Sequence, residues 1–438
     1  MINVPNKEIN ALAIPAIIAG LIEPIISLTD IALVGNNLDF HAIAGVGIGS
    51  YTIVLFIWIF SSIRNSTTSL VSQFYGADEK DKINIITSKS LLISFSIGLF
   101  IVLFSNLLAK DIFNFQNAKG LTLNNALIYF RIRSFAIPFT LASITLFGAF
   151  KGFQNTSWAM KITLIGGVLN IVLDIAFIKG FLFIPALGIA GVAIASLISQ
   201  VLMFAITYYY FQKHFTFTLG KGAFLDKSIG SLFYMSLDLF IRAIALNTVF
   251  ILTNKFATKF GDHHMAAHTI LFWIWLFQSY FIDGYSSAGM ALSGKIKGQK
   301  RYGLLYRLGL KLCKINFTIS LALAIILLFG YPWVSMMTDN YRVEAILESS
   351  YYILLLTFPI GAIAFTFDGI YIGIGKAYFL RNLLLISTFF IFIPCLYILN
   401  DMGFKTTGIW ISILVWLSVR ALIPFIHFQG RYQDFNKL

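Results

Sequence analysis

Ionisable side chains stand in this chain where an apolar stretch should have none. Glu23, Asp30, Asp174, Asp238, Asp283 and Asp368, with Arg64, Arg131, Arg133, Arg242 and Arg420, lie near or within long hydrophobic segments. At the centre of a bilayer each ionised group costs roughly 2.5–3.5 kcal/mol on insertion scales, so each needs a partner, a watery cavity or a proton. Asp30 and Asp174 have the setting best suited to ion chemistry. Asp30 falls about 21 residues into its segment and Asp174 about 16 into its own. At about 1.5 Å per residue, two helices entering from the same side hold them at comparable depth. Asn170 precedes Asp174 by four residues, which puts an amide and a carboxylate on one helical face a turn apart. Desolvation disfavours a charged carboxylate, and a second carboxylate nearby disfavours it further for one of the two. Such a pair suits the loading and release of a proton, or of Na⁺ in its place.

The other candidates divide by what surrounds them. Arg64, Asn65, Ser66, Thr67 and Thr68 form a polar patch suited to a cavity wall, and Asn155, Asp283 and Asp368 are further candidates for lining a substrate cavity. Asp238 and Arg242 are spaced i, i+4, which reads as mutual neutralisation on one helix. Lys376 follows Asp368 closely enough to be a partner. Pro15 and Pro24 interrupt the first apolar segment, and a mid-helix proline removes a backbone hydrogen bond and crowds the preceding turn. The first helix is therefore expected to bend near Pro15, on the way to the carboxylate it carries.

These residues need long apolar elements to position them, and the composition supplies such elements. Of 438 residues, 58% are hydrophobic and 12% charged, and mean hydropathy is +0.82, the reverse of a water-soluble balance. A spanning helix needs about 20 apolar residues. Breaks at Gly, Asn, Lys and Asp clusters give twelve segments, at 9–34, 42–75, 86–108, 122–150, 158–180, 188–211, 228–254, 264–293, 303–330, 345–373, 382–399 and 407–427. No short apolar run with a small-residue cleavage site precedes them, so the first segment reads as a retained helix. Assigning Lys and Arg to alternate loops puts twenty on the side of both termini and seven opposite, which predicts cytoplasmic termini. The net charge of +13 is thus largely an orientation signal, and nucleic acid need not be invoked. The basic run from Lys295 to Lys314 also suits anionic headgroups.

A repeat at a shift of about 221 residues adds a second constraint. Pro138, Gly148 and Gly152 fall onto Pro359, Gly369 and Gly373, and Ser72 falls onto Ser293. Six helices per copy, an even number, gives both copies the same orientation about an axis along the membrane normal. The expectation is an all-α integral membrane protein with twelve transmembrane helices in two pseudo-symmetric six-helix lobes, residues 1–215 and 216–438. Cys313 and Cys395 are far apart, with no CxxC and no Cys/His cluster, and read as packing residues rather than a disulfide or zinc site.

Several function classes lack their residues. Gly284-Tyr285-Ser286 has the short pattern of a membrane serine protease, but His427 is the only histidine downstream. His263-His264 lacks metalloprotease spacing. Gly373-Ile374-Gly375-Lys376-Ala377 approaches a phosphate-cradling loop, yet Ile370 stands where the first Gly belongs and no Ser or Thr follows the lysine. An enzyme and an ATP-driven pump are set aside on these grounds, and no cofactor or bound metal is expected. A flippase for lipid-linked precursors stays as the alternative, with a strongly basic central cavity as its expected mark.

The chain resembles the multidrug and toxic compound extrusion (MATE) family, in particular its DinF-like bacterial branch. The resemblance covers nearly the whole chain and rests on the order and spacing of several elements. These are Pro15 with Asp30, then Arg64-Asn65-Ser66-Thr67-Thr68 with Ser72-Gln73 and Gly76-Ala77. Asn170-Ile171-Val172-Leu173-Asp174 and Asp283-Gly284-Tyr285 follow. The resemblance implies a secondary active exporter that exchanges external H⁺ or Na⁺ for cytoplasmic organic compounds, often cationic and aromatic. It implies a cation site at Asp30, Asn170 and Asp174, a monomeric carrier, and a place in the bacterial cytoplasmic (inner) membrane. After Asp283-Gly284 the branch commonly has a Glu where this chain reads Ala288-Gly289-Met290, which shifts the expected coupling toward the N-terminal lobe.

Overall fold

Stretches this apolar can satisfy their backbone groups in lipid only by closing hydrogen bonds within the segment, and the chain does so with helices. The structure, a computed structural model, describes residues 4–180, 185–215 and 227–434. Among the described residues it contains helices and no strands, and twelve helices are long and apolar enough to cross a membrane. In chain order they are α1 (Asn6–Asn37), α2 (His41–Gly76), α3 (Lys80–Leu107), α4 (Gly120–Gly152), α5 (Ser157–Lys179), α6 (Gly188–His214), α7 (Ser228–Lys259), α8 (Asp262–Gly298), α9 (Tyr302–Phe329), α10 (Tyr341–Gly373), α11 (Ala377–Asp401) and α12 (Lys405–Tyr432). The count matches the expectation, and the helices outrun the expected ends. The α8 helix carries Lys295 and Lys297, and α11 starts at Ala377 rather than near 382. Hydropathy marks where lipid stops, whereas the i to i−4 ladder continues into the headgroup region.

Two compact units form by internal packing. One comprises Ile18–Ser236, the other Met1–Ile17 with Leu237–Leu438. The repeat-based lobes and these units differ by the first turns of α1 and α7, which each group with the other repeat's helices. Inside the first unit, one cluster gathers Val46, Phe113, Phe130 and Leu141, and another gathers Val71, Leu146, Phe150 and Phe211. Inside the second, Trp275, Tyr351, Phe358, Trp410 and Trp416 build the core.

The repeat is a helix crossing written twice. On α4, Gly148 abuts the Arg64 carbonyl and Gly152 abuts Val71 and Ser72 of α2. On α10, Gly369 abuts the Ser286 carbonyl and Gly373 abuts Met290 and Ser293 of α8. Small residues four apart let backbones approach, and hydroxyls bond across the seam. Thr68 Oγ1 donates to Gly148 O at 3.0 Å, and Ser286 Oγ donates to Phe365 O at 2.6 Å. The prolines diverge in context. Pro138 follows a 3₁₀ turn at Ser134–Ala136, while Pro359 sits inside an unbroken α10. Short helices at Ala109–Phe115 and Tyr331–Ser335 also occupy matching places, after α3 and after α9.

Candidate functional site

In the Ile18–Ser236 unit, α5 carries the polar stripe expected of it. Asp174 is fully buried and Asn170 nearly so. Asn170 Nδ2 donates to Asp174 Oδ2 at 3.2 Å and lies 3.5 Å from Ser196 Oγ on α6. Glycines make room for this arrangement. Gly166 faces Met203 of α6, and Gly167 faces Ile26 and Ile22 of α1. Odd-numbered helices run in the same direction through a bilayer, so a contact between Ile26 and Gly167 sets a register. Four residues on, the α1 backbone at Asp30 stands about level with Ile171, between Asn170 and Asp174. The side chains of Asp30 and Glu23 lie outside the described residues.

Each remaining candidate has its own setting. Arg64 and Asn65 are half-buried on α2, and Arg64 Nε is buried with no hydrogen-bond partner among the described residues. Thr67 is buried with its hydroxyl donated to Ile63 O of its own helix at 2.8 Å. Asn155 occupies the α4–α5 connection, where its Oδ1 accepts from the Ser157 N–H at 3.1 Å and so fastens the start of α5. Asp283 is exposed on α8. Its neighbours in sequence hold the first turns of α1: Gly284 lies against Ala13 and Ile17, and the Tyr285 hydroxyl donates to Asn10 Oδ1 at 3.3 Å. Pro15 is buried in α1, which is helical from Asn6 to Asn37.

The Leu237–Leu438 part holds a charge network that the sequence reading had paired differently. Asp238 and Arg242 do not neutralise each other. Asp368 is buried on α10, and its Oδ2 accepts from Arg242 Nη2 at 2.6 Å and from Arg420 Nη2 of α12 at 2.7 Å. Asp238 pairs instead with Arg381 of α11. An exposed i, i+4 pair gains only a few tenths of a kcal/mol, whereas a carboxylate buried between helices must be matched there or strand its charge. Lys376 is likewise not the partner of Asp368. Arg420 is 2% exposed, and its guanidinium lies 4.4 Å from the Trp416 ring centroid and 5.6 Å from that of Phe365. Two arginines on one Asp, and three on two, leave the cluster with a formal charge of +1. Arg242 Nε and Arg420 Nη1 are buried without hydrogen-bond partners among the described residues. Sequence reasoning missed Arg381 because it was counted into a loop. Ser196 gave no signal, being one of several polar residues in α6 with nothing to set it apart from Ser199 or Thr207.

Twelve apolar helices in a duplicated pattern, with a buried carboxylate in the first half and a buried carboxylate–guanidinium network in the second, define a multi-pass membrane protein built for transport. The MatE family profile matches residues 15–176 and 239–398, one match in each repeat. The chain belongs to this family of MATE transporters, whose members are carriers and not enzymes. Among its relatives, Protein DETOXIFICATION 42 of Arabidopsis thaliana is 29% identical over 354 residues, covering 77% of this chain and 65% of that protein. The chain thus spans just under two thirds of that relative's length. The Escherichia coli DNA damage-inducible protein F is 23% identical over 423 residues, covering 95% of this chain and 90% of that one. Multidrug export protein MepA of Staphylococcus aureus is 22% identical over 440 residues, with 96% and 92% covered. Among solved structures, a multidrug resistance MATE transporter in its outward-facing conformation superposes with a TM-score of 0.89 at 22% identity, over 99% of this chain and 97% of that one. A transporter of the wider MOP superfamily from Pyrococcus furiosus, described as having a binding pocket of reversed polarity, gives 0.89 at 21% over the same shares. These likenesses place the fold.

Proposed function

We propose that the chain is a secondary active exporter of the cytoplasmic membrane, with both termini cytoplasmic, which takes in H⁺ or Na⁺ as it expels organic compounds. The observation that carries this reading is the full burial of Asp174 with Asn170 one turn before it, on a helix whose Gly167 admits α1. In the proposed cycle Asp30 and Asp174 take the ion from outside, and Asn170 holds the Asp174 carboxylate in place. Neutralisation of the pair lets α1 bend about Pro15, and cargo leaves the N-terminal lobe. The ion-loaded carrier then returns inward, releases the ion and rebinds cargo. Each elementary charge moved through 100 mV supplies about 2.3 kcal/mol, enough for a concentration gradient of about fiftyfold.

Cationic, aromatic cargo fits the acidic pair, with Arg64, Asn65, Thr67, Asn155, Asp283 and Asp368 retained as cavity candidates. A second reading, a flippase for anionic lipid-linked precursors, draws on one observation, the excess positive charge of Arg242, Arg381 and Arg420 over Asp238 and Asp368. Efflux of a fluorescent organic cation from proteoliposomes, with a pH gradient and a Na⁺ gradient imposed separately, tests the choice. Gradient-driven efflux supports the exporter. Efflux indifferent to both gradients, with scrambling of a labelled anionic lipid, supports the flippase.

A further inference from the structure

The five residues that fall short of a nucleotide loop, Gly373-Ile374-Gly375-Lys376-Ala377, form the tight connection between α10 and α11. Gly375 adopts φ 74°, a conformation open to glycine at little cost, and the Lys376 N–H donates back to Tyr371 O at 2.8 Å. The turn is therefore fixed, and Lys376 with it. Its Nζ is buried with no hydrogen-bond partner among the described residues. Among the described residues the Tyr432 ring faces it, with its centroid 5.5 Å away. Other cations converge on the same turn. Lys297 Nζ donates to Ile374 O at 2.6 Å, and Arg431 and Lys297 both act on the Lys376 charge. Burial above all, and then these two cations, pull this lysine down to about 8. Lys376 and Arg431 also act on His427, whose ring stacks on Phe379 at 4.7 Å and whose Nδ1 is hydrogen-bonded to the Tyr371 hydroxyl.

A buried ammonium without an acceptor, crowded by two like charges, is costly unless something negative joins it. Elsewhere in the same unit buried arginines have their carboxylates; here no ion pair to Lys376 or Arg431 occurs among the described residues. We propose that Lys376, Arg431 and Lys297 form a binding site for a phosphate group, supplied by an anionic lipid headgroup or by a soluble phosphate compound. A phosphate offers several acceptor oxygens to several cations at once, which one carboxylate does not. The site lies between the ends of two spanning helices, Gly373 and Ala377, at the level where headgroups sit and where basic residues meet anionic lipid. It is far in sequence from Asp30 and Asp174 and does not depend on the exporter reading.

The test uses the full chain in nanodiscs of phosphatidylcholine, with and without phosphatidylglycerol. Retained lipid is counted by native mass spectrometry, and inorganic phosphate is added in a separate arm at matched ionic strength. Wild type should retain phosphatidylglycerol over phosphatidylcholine. Lys376→Gln and Arg431→Gln should each lower that preference about fivefold, the effect expected of one basic residue at an anionic surface. Lys376→Arg should keep it, and Lys80→Gln, in the other unit, should leave it unchanged. Displacement of phosphatidylglycerol by millimolar phosphate identifies soluble phosphate as a competing ligand, and persistence identifies the lipid, either of which supports the site. Arg431 is exposed, so its variant keeps the test open if Lys376→Gln fails to fold. Wild type with no preference for phosphatidylglycerol and no response to phosphate overturns the proposal. So does an unaltered preference in both glutamine variants.

Discussion

Asp368 shows what one side chain does inside an apolar protein. It holds Arg242 and Arg420 on a single oxygen, and Arg420 is almost wholly buried. Asp368→Asn should leave two guanidinium groups buried without a counter-charge and cost about 3–5 kcal/mol, read as a lowered midpoint of thermal unfolding in detergent. Asp238→Asn should cost clearly less, because Arg381 opposite it is partly exposed. Equal losses would mean that the network is not organised around Asp368. Lys376 makes a prediction about protons. Its value of about 8 lies below the 10.5 of a free lysine, so between those values an unfolded chain binds more protons than the folded one, and stability gains as pH rises through that window. A bound anion favours the charged form and reverses the shift. Phosphate binding at pH 8 should therefore take up protons, measured calorimetrically in buffers of different ionisation enthalpy. Proton release would contradict this account of the lysine.

Helix packing turns on how close two backbones come. A Cβ at Gly369 would lie inside the Ser286 carbonyl oxygen, and that oxygen belongs to a helix backbone that cannot step aside. Gly369→Ala should destabilise by about 1–3 kcal/mol, the usual cost of overpacking. Gly47→Ala, with nothing within 4 Å of the added carbon, should be neutral or slightly stabilising. Matching melts for the two would show that the α8–α10 seam is looser than the geometry indicates. This seam was legible in the sequence as glycines four apart, recurring at a fixed shift. The ends of α8 and α11 were not, because nothing in hydropathy records how far a helix runs beyond lipid. The pairing of Asp238 was misread for a related reason. Spacing on one helix is visible in a sequence, but the partner on α11 becomes a neighbour only once the helices pack. The basic run from Lys295 to Lys314 was legible as an orientation signal, yet three of its lysines have structural work as well. Lys295 meets Glu8 at 3.3 Å, Lys297 meets Ile374 O, and Lys311 Nζ donates to Val4 O at 2.6 Å.

The two halves of the molecule share a backbone plan and differ in chemistry. At the repeat shift, Asp174 falls onto Cys395 and Arg420 onto Ser199, so neither buried charge has a counterpart in the other copy. The candidate ion pair thus belongs to one half and the guanidinium cluster to the other, consistent with coupling in the N-terminal lobe alone. The twelve-helix plan and the α5 stripe could be read from residue order. Ser196 beside Asn170, and the glycine contact that sets α1 against α5, needed the packed structure. The central claim is that Asp30 and Asp174 couple an ion to cargo without being required for cargo movement as such. The most direct measurement compares wild type with Asp30→Asn and Asp174→Asn in proteoliposomes under two regimes, uphill transport of an organic cation driven by an H⁺ or Na⁺ gradient, and exchange of labelled for unlabelled cation with no gradient. The account predicts that both variants lose at least about tenfold of the driven transport, the scale of one pKa-unit interaction or more, and keep the exchange. Driven transport that persists in both variants would contradict it.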